Sequence, residues 1–152
     1  MTEHEIQRSH ITQIAPETMY ELLRLRVDVF VVEQECPYPE LDGRDLDADA
    51  QQWWIEAEGD IASTVRTLRD NVGTPEQGWR IGRVATHANH RGQGYAAVLM
   101  RAAIEHCSDA PINIEAQAHL EQWYAKFGFA RCGDDFLEDG IPHLPMRLEH
   151  AN

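Results

Sequence analysis

The stretch Arg91-Gly92-Gln93-Gly94-Tyr95-Ala96 carries the clearest chemical signal in the chain. Gly92 and Gly94 let a backbone come close to a ligand and take dihedrals that a β-carbon would forbid. A periodic apolar stretch from Gln93 to His106 follows, and the unpaired N–H groups at the start of such a helix point back into the loop. The combination suits an anion. A helix N-terminus contributes about 0.3–1 kcal/mol per charge at exposed positions, and Arg91 adds charge-assisted hydrogen bonds, so a pyrophosphate fits. Standing alone, the two glycines would also suit a plain strand-to-helix turn. Other phosphate loops fit worse: no Gly-Lys-Ser/Thr ending is present, and a dinucleotide fingerprint wants a third glycine in a leading βαβ unit.

Such a loop needs a strand before it and a sheet around it. Trp79 to Thr86 reads as that strand. Upstream, Pro16 to about Glu33 spaces Met19, Leu22, Leu23, Leu25, Arg26, Val29 and Phe30 as a helix, running into an irregular segment from Val31 to Tyr38. Trp53 to Glu58 and Ile61 to Leu68 are strand-like runs flanking Gly59-Asp60, which predicts a hairpin. Downstream, Ile112 to Ala116 alternates as a short strand. His119 to Lys126 follows as a helix stopped by Gly128, and Phe129 to Leu137 and Pro142 to Leu148 flank an Asp139-Gly140 turn. Mixed strands with intervening helices predict a layered α/β or α+β fold, and the absence of repeats or linkers predicts a single domain over residues 1–152. The acidic segment from Glu40 to Asp49 is expected to be a solvated loop rather than a rim that attracts amines.

With these elements in order, the loop resembles that of the GNAT N-acetyltransferase family, whose pattern Arg/Gln-x-x-Gly-x-Gly/Ala is filled by Arg91, Gly94 and Ala96. Ile81-Gly82-Arg83-Val84-Ala85-Thr86 is similar to the family's splayed fourth strand, and Tyr124-Ala125-Lys126-Phe127-Gly128-Phe129 to its Tyr-x-x-x-Gly-Phe signature. Leu25 to Gln34, Cys36-Pro37-Tyr38, Glu40-Leu41-Asp42-Gly43, Ala116-Gln117-Ala118-His119-Leu120 and Glu138 to His143 resemble the ElaA-like subgroup. The resemblance implies the GNAT acyl-CoA N-acyltransferase fold, a twisted mixed sheet, mostly antiparallel, with helices on both faces and CoA wedged between two splayed strands. It also implies acetyl-CoA as co-substrate, held by Val84, Ala85, Thr86, the loop Arg91, Gly92, Gln93, Gly94, Tyr95 and Ala96, and Gln117, which stands where many members place an Asn. Family members are often homodimers, so the resemblance allows one here.

Direct acetyl transfer from a thioester to a primary amine in a ternary complex needs a neutral amine, an oxyanion donor and a proton for the departing thiolate. A phenol with a pKa near 10 stays protonated at neutral pH, and Tyr124 occupies the family position of that acid. The backbone N–H at Val84 is the family-implied oxyanion donor. An amine with a pKa near 10.4 must lose a proton, and Glu33, ending the first helical region, is the candidate base, with Glu115 and His119 in reserve. His143 reads as a structural histidine that could line the acceptor pocket. A small-molecule or peptide amine is the expected acceptor. A non-catalytic acyl-CoA-binding or sensing module is the alternative; it would keep the glycine loop without an acid.

Composition narrows the partners. Thirteen Lys and Arg against 26 Asp and Glu give a formal charge of −13, which repels nucleic acid and anionic membranes. Arg80, Arg83, Arg91 and Arg101 cluster in the middle third and are expected to concentrate positive charge for the anionic cofactor. No apolar run is long enough to span a bilayer, and the acidic, polar start Met1-Thr2-Glu3-His4-Glu5 is unlike a signal peptide, so the chain reads as cytoplasmic. Three cysteines without a CxxC pair read as reduced thiols, Cys36 and Cys132 as core or loop residues. With no HxxxH, HExxH or CxxC spacing, and His106 and Cys107 diverging on a helix, no metal is expected.

Overall fold

The computed structural model of the protein describes residues 5–150. Among the described residues eight strands form one sheet: β1 (Ile6–Ser9), β2 (Gln51–Ala57), β3 (Asp60–Asp70), β4 (Gly78–Thr86), β5 (Ile112–Gln117), β6 (Ala130–Arg131), β7 (Phe136–Glu138) and β8 (Ile141–Leu148). Their order is β1-β2-β3-β4-β5-β8-β6, with β7 also paired to β8. All pairs are antiparallel except β4 with β5. The α-helices among the described residues are α1 (Pro16–Val27), α2 (Tyr95–His106) and α3 (Glu121–Ala125).

Neighbouring tryptophans show how the sheet divides the core. Successive side chains of a strand point to opposite faces. Trp53 therefore packs with Leu99 and Met100 of α2, while Trp54 packs with Leu22 and Leu25 of α1. Helices thus cover both faces, and β3 is buried along nearly its whole length. The two hairpin turns follow local rules: Glu58 and Gly59 have φ of 51° and 83°, Asp139 and Gly140 51° and 78°, the doubly positive pattern of a two-residue turn that matches strand twist. The first turn sits one residue earlier than the Gly59-Asp60 expectation, because Ala57 pairs with Asp60.

Two expectations need correction. The strand expected over Phe129 to Leu137 is broken into β6 and β7, both laid along the same edge of β8. The break falls opposite Leu144 and Pro145, and Pro145 has no N–H to give a neighbour. The acidic segment is solvated along most of its length but not throughout. Glu40 and Asp45 are buried and hold Arg26, which is fully buried: its Nε donates to Glu40 Oε2 and its Nη1 to Asp45 Oδ1, both at 2.7 Å. Arg66 donates to Asp42 and Asp45 from the neighbouring strand.

Candidate active site

β4 and β5 pair only at Trp79 with Ile112 and Arg80 with Asn113, then part as β4 runs on to Thr86 and β5 to Gln117. The cleft between them holds two cavities. One, of about 610 Å³, is flanked by Glu33, Thr86, Arg91, Ala96 and Trp123. The other, of about 180 Å³, is flanked by Tyr38, Glu115, Glu138, Asp139 and His143. Phe30, Gln34, Val84, Gln117, Leu120 and Tyr124 line both, so the cavities adjoin along that wall.

Val84 reaches the wall through a β-bulge. Thr64 pairs with Ala85 and Arg66 with Gly82, so Arg83 and Val84 stand opposite the single residue Val65. Arg83 has φ of 53°, a left-handed conformation that costs a non-glycine residue about 1 kcal/mol or more. Its side chain is pinned in compensation. Nη2 donates to the Glu40 carbonyl at 3.1 Å, and Nε lies 2.8 Å from Glu40 Oε2, a charge contact without hydrogen-bond alignment. Val84 consequently has no ladder partner in β3 and lies beyond the last pair with β5. An N–H freed from a ladder at the wall of a cleft can serve as an oxyanion donor.

The loop after β4 has the conformation that its glycines permit. Gly92 and Gly94 have φ of 80° and 81°, and Gly94 is the N-cap of α2 with no side-chain cap. A helix start without a side-chain cap, beside a glycine turn, is a place that suits an anion. Arg91 is committed elsewhere: Nη1 and Nη2 donate to Glu33 Oε1 and Oε2 at 2.7 and 2.5 Å, and Nε donates to the Thr86 carbonyl at 3.2 Å. Glu33 comes from a π-helical continuation of α1 over Asp28–Glu33. Hydrogen bonds from Arg91 hold its carboxyl below the ordinary range, against a smaller opposing effect of burial, so in the free protein Glu33 is a poor base.

Tyr124 is 8% exposed, with Trp123 edge-on at 4.9 Å between ring centroids. Burial pushes its phenol up to about 12. It therefore stays protonated across the physiological range, and no described side chain or backbone group competes for its hydroxyl.

Of the residues expected to hold the cofactor, Val84, Ala85, Thr86, Arg91, Ala96 and Gln117 line the larger cavity. Gly92, Gln93, Gly94 and Tyr95 build the turn and first helical residue beside it. The two reserve bases separate, His119 to the larger cavity and Glu115 to the smaller. The expected cluster of cations does not form. Arg80 pairs with Asp70 and Glu115, Arg83 with Glu40 and Asp42, and Arg101 lies over the Phe127 ring, leaving Arg91 at the loop. Phe30 and Tyr38, to which the sequence assigns no role in the site, enter the cleft because the helix widens after Val27 and the chain then turns back beside β4. The fold also gathers Asp60, His87 and His90, whose ligating atoms lie within 4.8 Å of one another. An HxxH spacing was the signal for it. His90 Nε2 already contacts Asp60 at 2.8 Å, and His87 Nδ1 accepts from the Asn89 amide at 3.1 Å.

Parting strands beside a glycine turn that opens a helix are the arrangement of the acyl-CoA N-acyltransferase fold, and solved members of it superpose closely. Residues 7–150 match the acetyltransferase (GNAT) domain, and the chain belongs to that family, in its ElaA-like subgroup. It is 48% identical over 147 residues to a UPF0039 protein of Mycobacterium tuberculosis, covering 96% of this chain and 93% of that one. Protein ElaA of Escherichia coli is 37% identical over 150 residues, 95% of this chain and 96% of its own. Its crystal structure superposes with a TM-score of 0.88. An acyl-CoA N-acyltransferase from Pseudomonas aeruginosa gives the same TM-score at 36% identity, over 97% of this chain and all of the other.

Proposed function

We propose that the protein transfers an acetyl group from acetyl-CoA to a primary amine by direct attack in a ternary complex. The observation that carries this reading is the wall shared by the two cavities, where Val84, Gln117 and Tyr124 face both a chamber beside the glycine loop and a chamber lined by carboxylates. The pyrophosphate would lie on the loop and the α2 N-terminus, with pantetheine along Val84, Ala85 and Thr86. The thioester carbonyl would then point at the Val84 N–H. The acceptor enters through the smaller cavity, where Glu115, Glu138 and Asp139 suit an ammonium group. As C–S cleavage proceeds, Tyr124 gives its proton to the leaving sulfur.

Calorimetric titration with acetyl-CoA tests the cofactor half. Wild type should bind, and Gly94→Glu should not while remaining folded. A β-carbon at Gly94 meets no atom within 4 Å, so the defect is the carboxylate's charge together with strain at a φ of 81°. Thiol release with a panel of primary amines tests the catalytic half. Tyr124→Phe should lower turnover by about 100-fold with acetyl-CoA affinity unchanged. Failure of wild type to bind acetyl-CoA overturns the reading; binding with no amine ever acetylated replaces it with an acyl-CoA sensing module.

A further inference from the structure

Glu33 lines the cofactor chamber, and the smaller cavity, through which the acceptor would enter, holds a candidate base of its own. We propose that His143 is the catalytic base that takes the proton from the acceptor ammonium, an inference that rests on the acetyl-transfer reading of the cleft. β8 sets His143 between two strands, directly opposite Gln117 of β5 on one side and Phe136 of β7 on the other. Gln117 belongs to the wall shared with the cofactor chamber, so His143 neighbours the place where acyl group and amine must meet.

The ring's orientation and tautomer are fixed. It stacks on Phe136 with centroids 5.8 Å apart and planes at 23°. Nδ1 lies 2.8 Å from the Ile141 carbonyl oxygen, and a carbonyl can only accept, so Nδ1 carries the hydrogen. In the neutral imidazole the lone pair is then on Nε2. Glu138 Oε2 lies 3.7 Å from Nε2 and can pair with it once it is protonated. The other charged or titratable groups lining this cavity are Cys36, Tyr38, Arg66, Arg80, Arg83, Glu115, Tyr124 and Asp139. The arginines among them are bound by carboxylates, and Cys36 donates its thiol hydrogen to the Asp139 carbonyl at 3.3 Å. His143 is thereby the imidazole of a chamber whose carboxylates attract the substrate it would deprotonate.

The proton balance closes. The ammonium gives one proton to Nε2, and the neutral amine attacks the thioester carbon, forming C–N while the carbonyl electron pair moves onto oxygen at the Val84 N–H. Collapse reforms the carbonyl and breaks C–S. Tyr124 protonates the thiolate, the second proton of the amide nitrogen restores the phenol, and Nε2 returns its proton to solvent.

His143→Asn separates this role from a structural one, because the Asn amide keeps a donor near the position of Nδ1 and removes Nε2. The measurement is kcat/KM for acetyl-CoA with spermidine, tyramine and lysine ethyl ester, alongside acetyl-CoA affinity by calorimetry. Expected are a loss of about 100-fold in kcat/KM at pH 7 for His143→Asn with acetyl-CoA binding intact, and partial recovery of His143→Ala activity on adding free imidazole. Activity of His143→Asn within about threefold of wild type, or a loss in His143→Ala that imidazole does not relieve, overturns the assignment. If wild type binds acetyl-CoA and acetylates none of these amines, the acetyl-transfer reading falls first and this base with it.

Discussion

Arg91 has two anions to choose between. In the free protein its guanidinium holds Glu33 in a two-pronged pair, with both partners about half exposed. A pyrophosphate on the glycine loop would have to draw it away. Glu33→Ala should therefore tighten acetyl-CoA binding severalfold, within the 0.2–1 kcal/mol typical of exposed pairs, whereas Arg91→Ala should weaken it. In the double variant the gain from Glu33→Ala should disappear, because there is no guanidinium left to release. A calorimetric cycle over the four proteins checks this, and unchanged affinity in Glu33→Ala would show that the pair does not compete with the cofactor. Both residues stand out in the sequence as chemically interesting, one as an anion ligand and one as a base. Their pairing across 58 positions does not, because no local pattern encodes which cation a carboxylate meets in the folded chain.

The cleft depends on where two strands begin to part. Gly78 opens β4 against Pro111, whose carbonyl accepts from the Trp79 amide at 2.8 Å. A β-carbon on Gly78 would lie 2.5 Å from that carbonyl oxygen. Gly78→Ala must push the chain apart next to the two pairs that join β4 to β5, and should cost about 1–3 kcal/mol of stability, read as a lower urea midpoint, with acetyl-CoA affinity falling as well. A midpoint equal to that of wild type would show that the junction tolerates the shift. At this scale the sequence was most legible where the signal is local. Turn glycines and period-two apolar runs located β2, β3, β4 and β8, and the glycine loop located the start of α2 to within two residues. β1 carries no such signal: Ile6-Gln7-Arg8-Ser9 is short and polar, and is a strand because β2 offers it an edge. The bulge at Arg83 and the π-helical turn at Asp28–Glu33 shape the site most directly, and both are imposed by packing that no short window reveals.

Across the whole molecule, the acidic segment does more than carry charge. Arg26 is enclosed by Glu40 and Asp45, and removing one partner of such a buried cluster typically costs about 3–5 kcal/mol. Arg26→Met should lose that much at pH 7. Burial alone would raise the Asp42 carboxyl, but hydrogen bonds from Arg66 and the Arg44 amide and the charges of Arg66 and Arg83 outweigh it and hold it at about 2. Asp45 is lowered as well, with burial again opposed by Arg26 and Arg66. A depressed carboxyl stabilises the fold fully above its unfolded value of 3.8 and ceases to do so as pH falls toward about 2. For Asp42, after discounting its partial exposure, that is about 1–2 kcal/mol. The wild-type urea midpoint should therefore drop as pH falls from about 4 toward about 2, and the gap to Arg26→Met should narrow once the pH is below 3.8, because the Asp45 carboxyl that Arg26 holds is lowered as well. A gap independent of pH would show that the cluster does not titrate with unfolding. Because Arg26, Arg66 and Arg83 are turned inward against an equal number of carboxylates, Glu40, Asp42 and Asp45, the formal charge of −13 falls undiminished on the rest of the molecule. An anionic cofactor diffusing toward this protein meets a like-charged envelope before it meets Arg91. Added salt should therefore quicken its arrival by screening that envelope, even as it weakens the final grip on the loop.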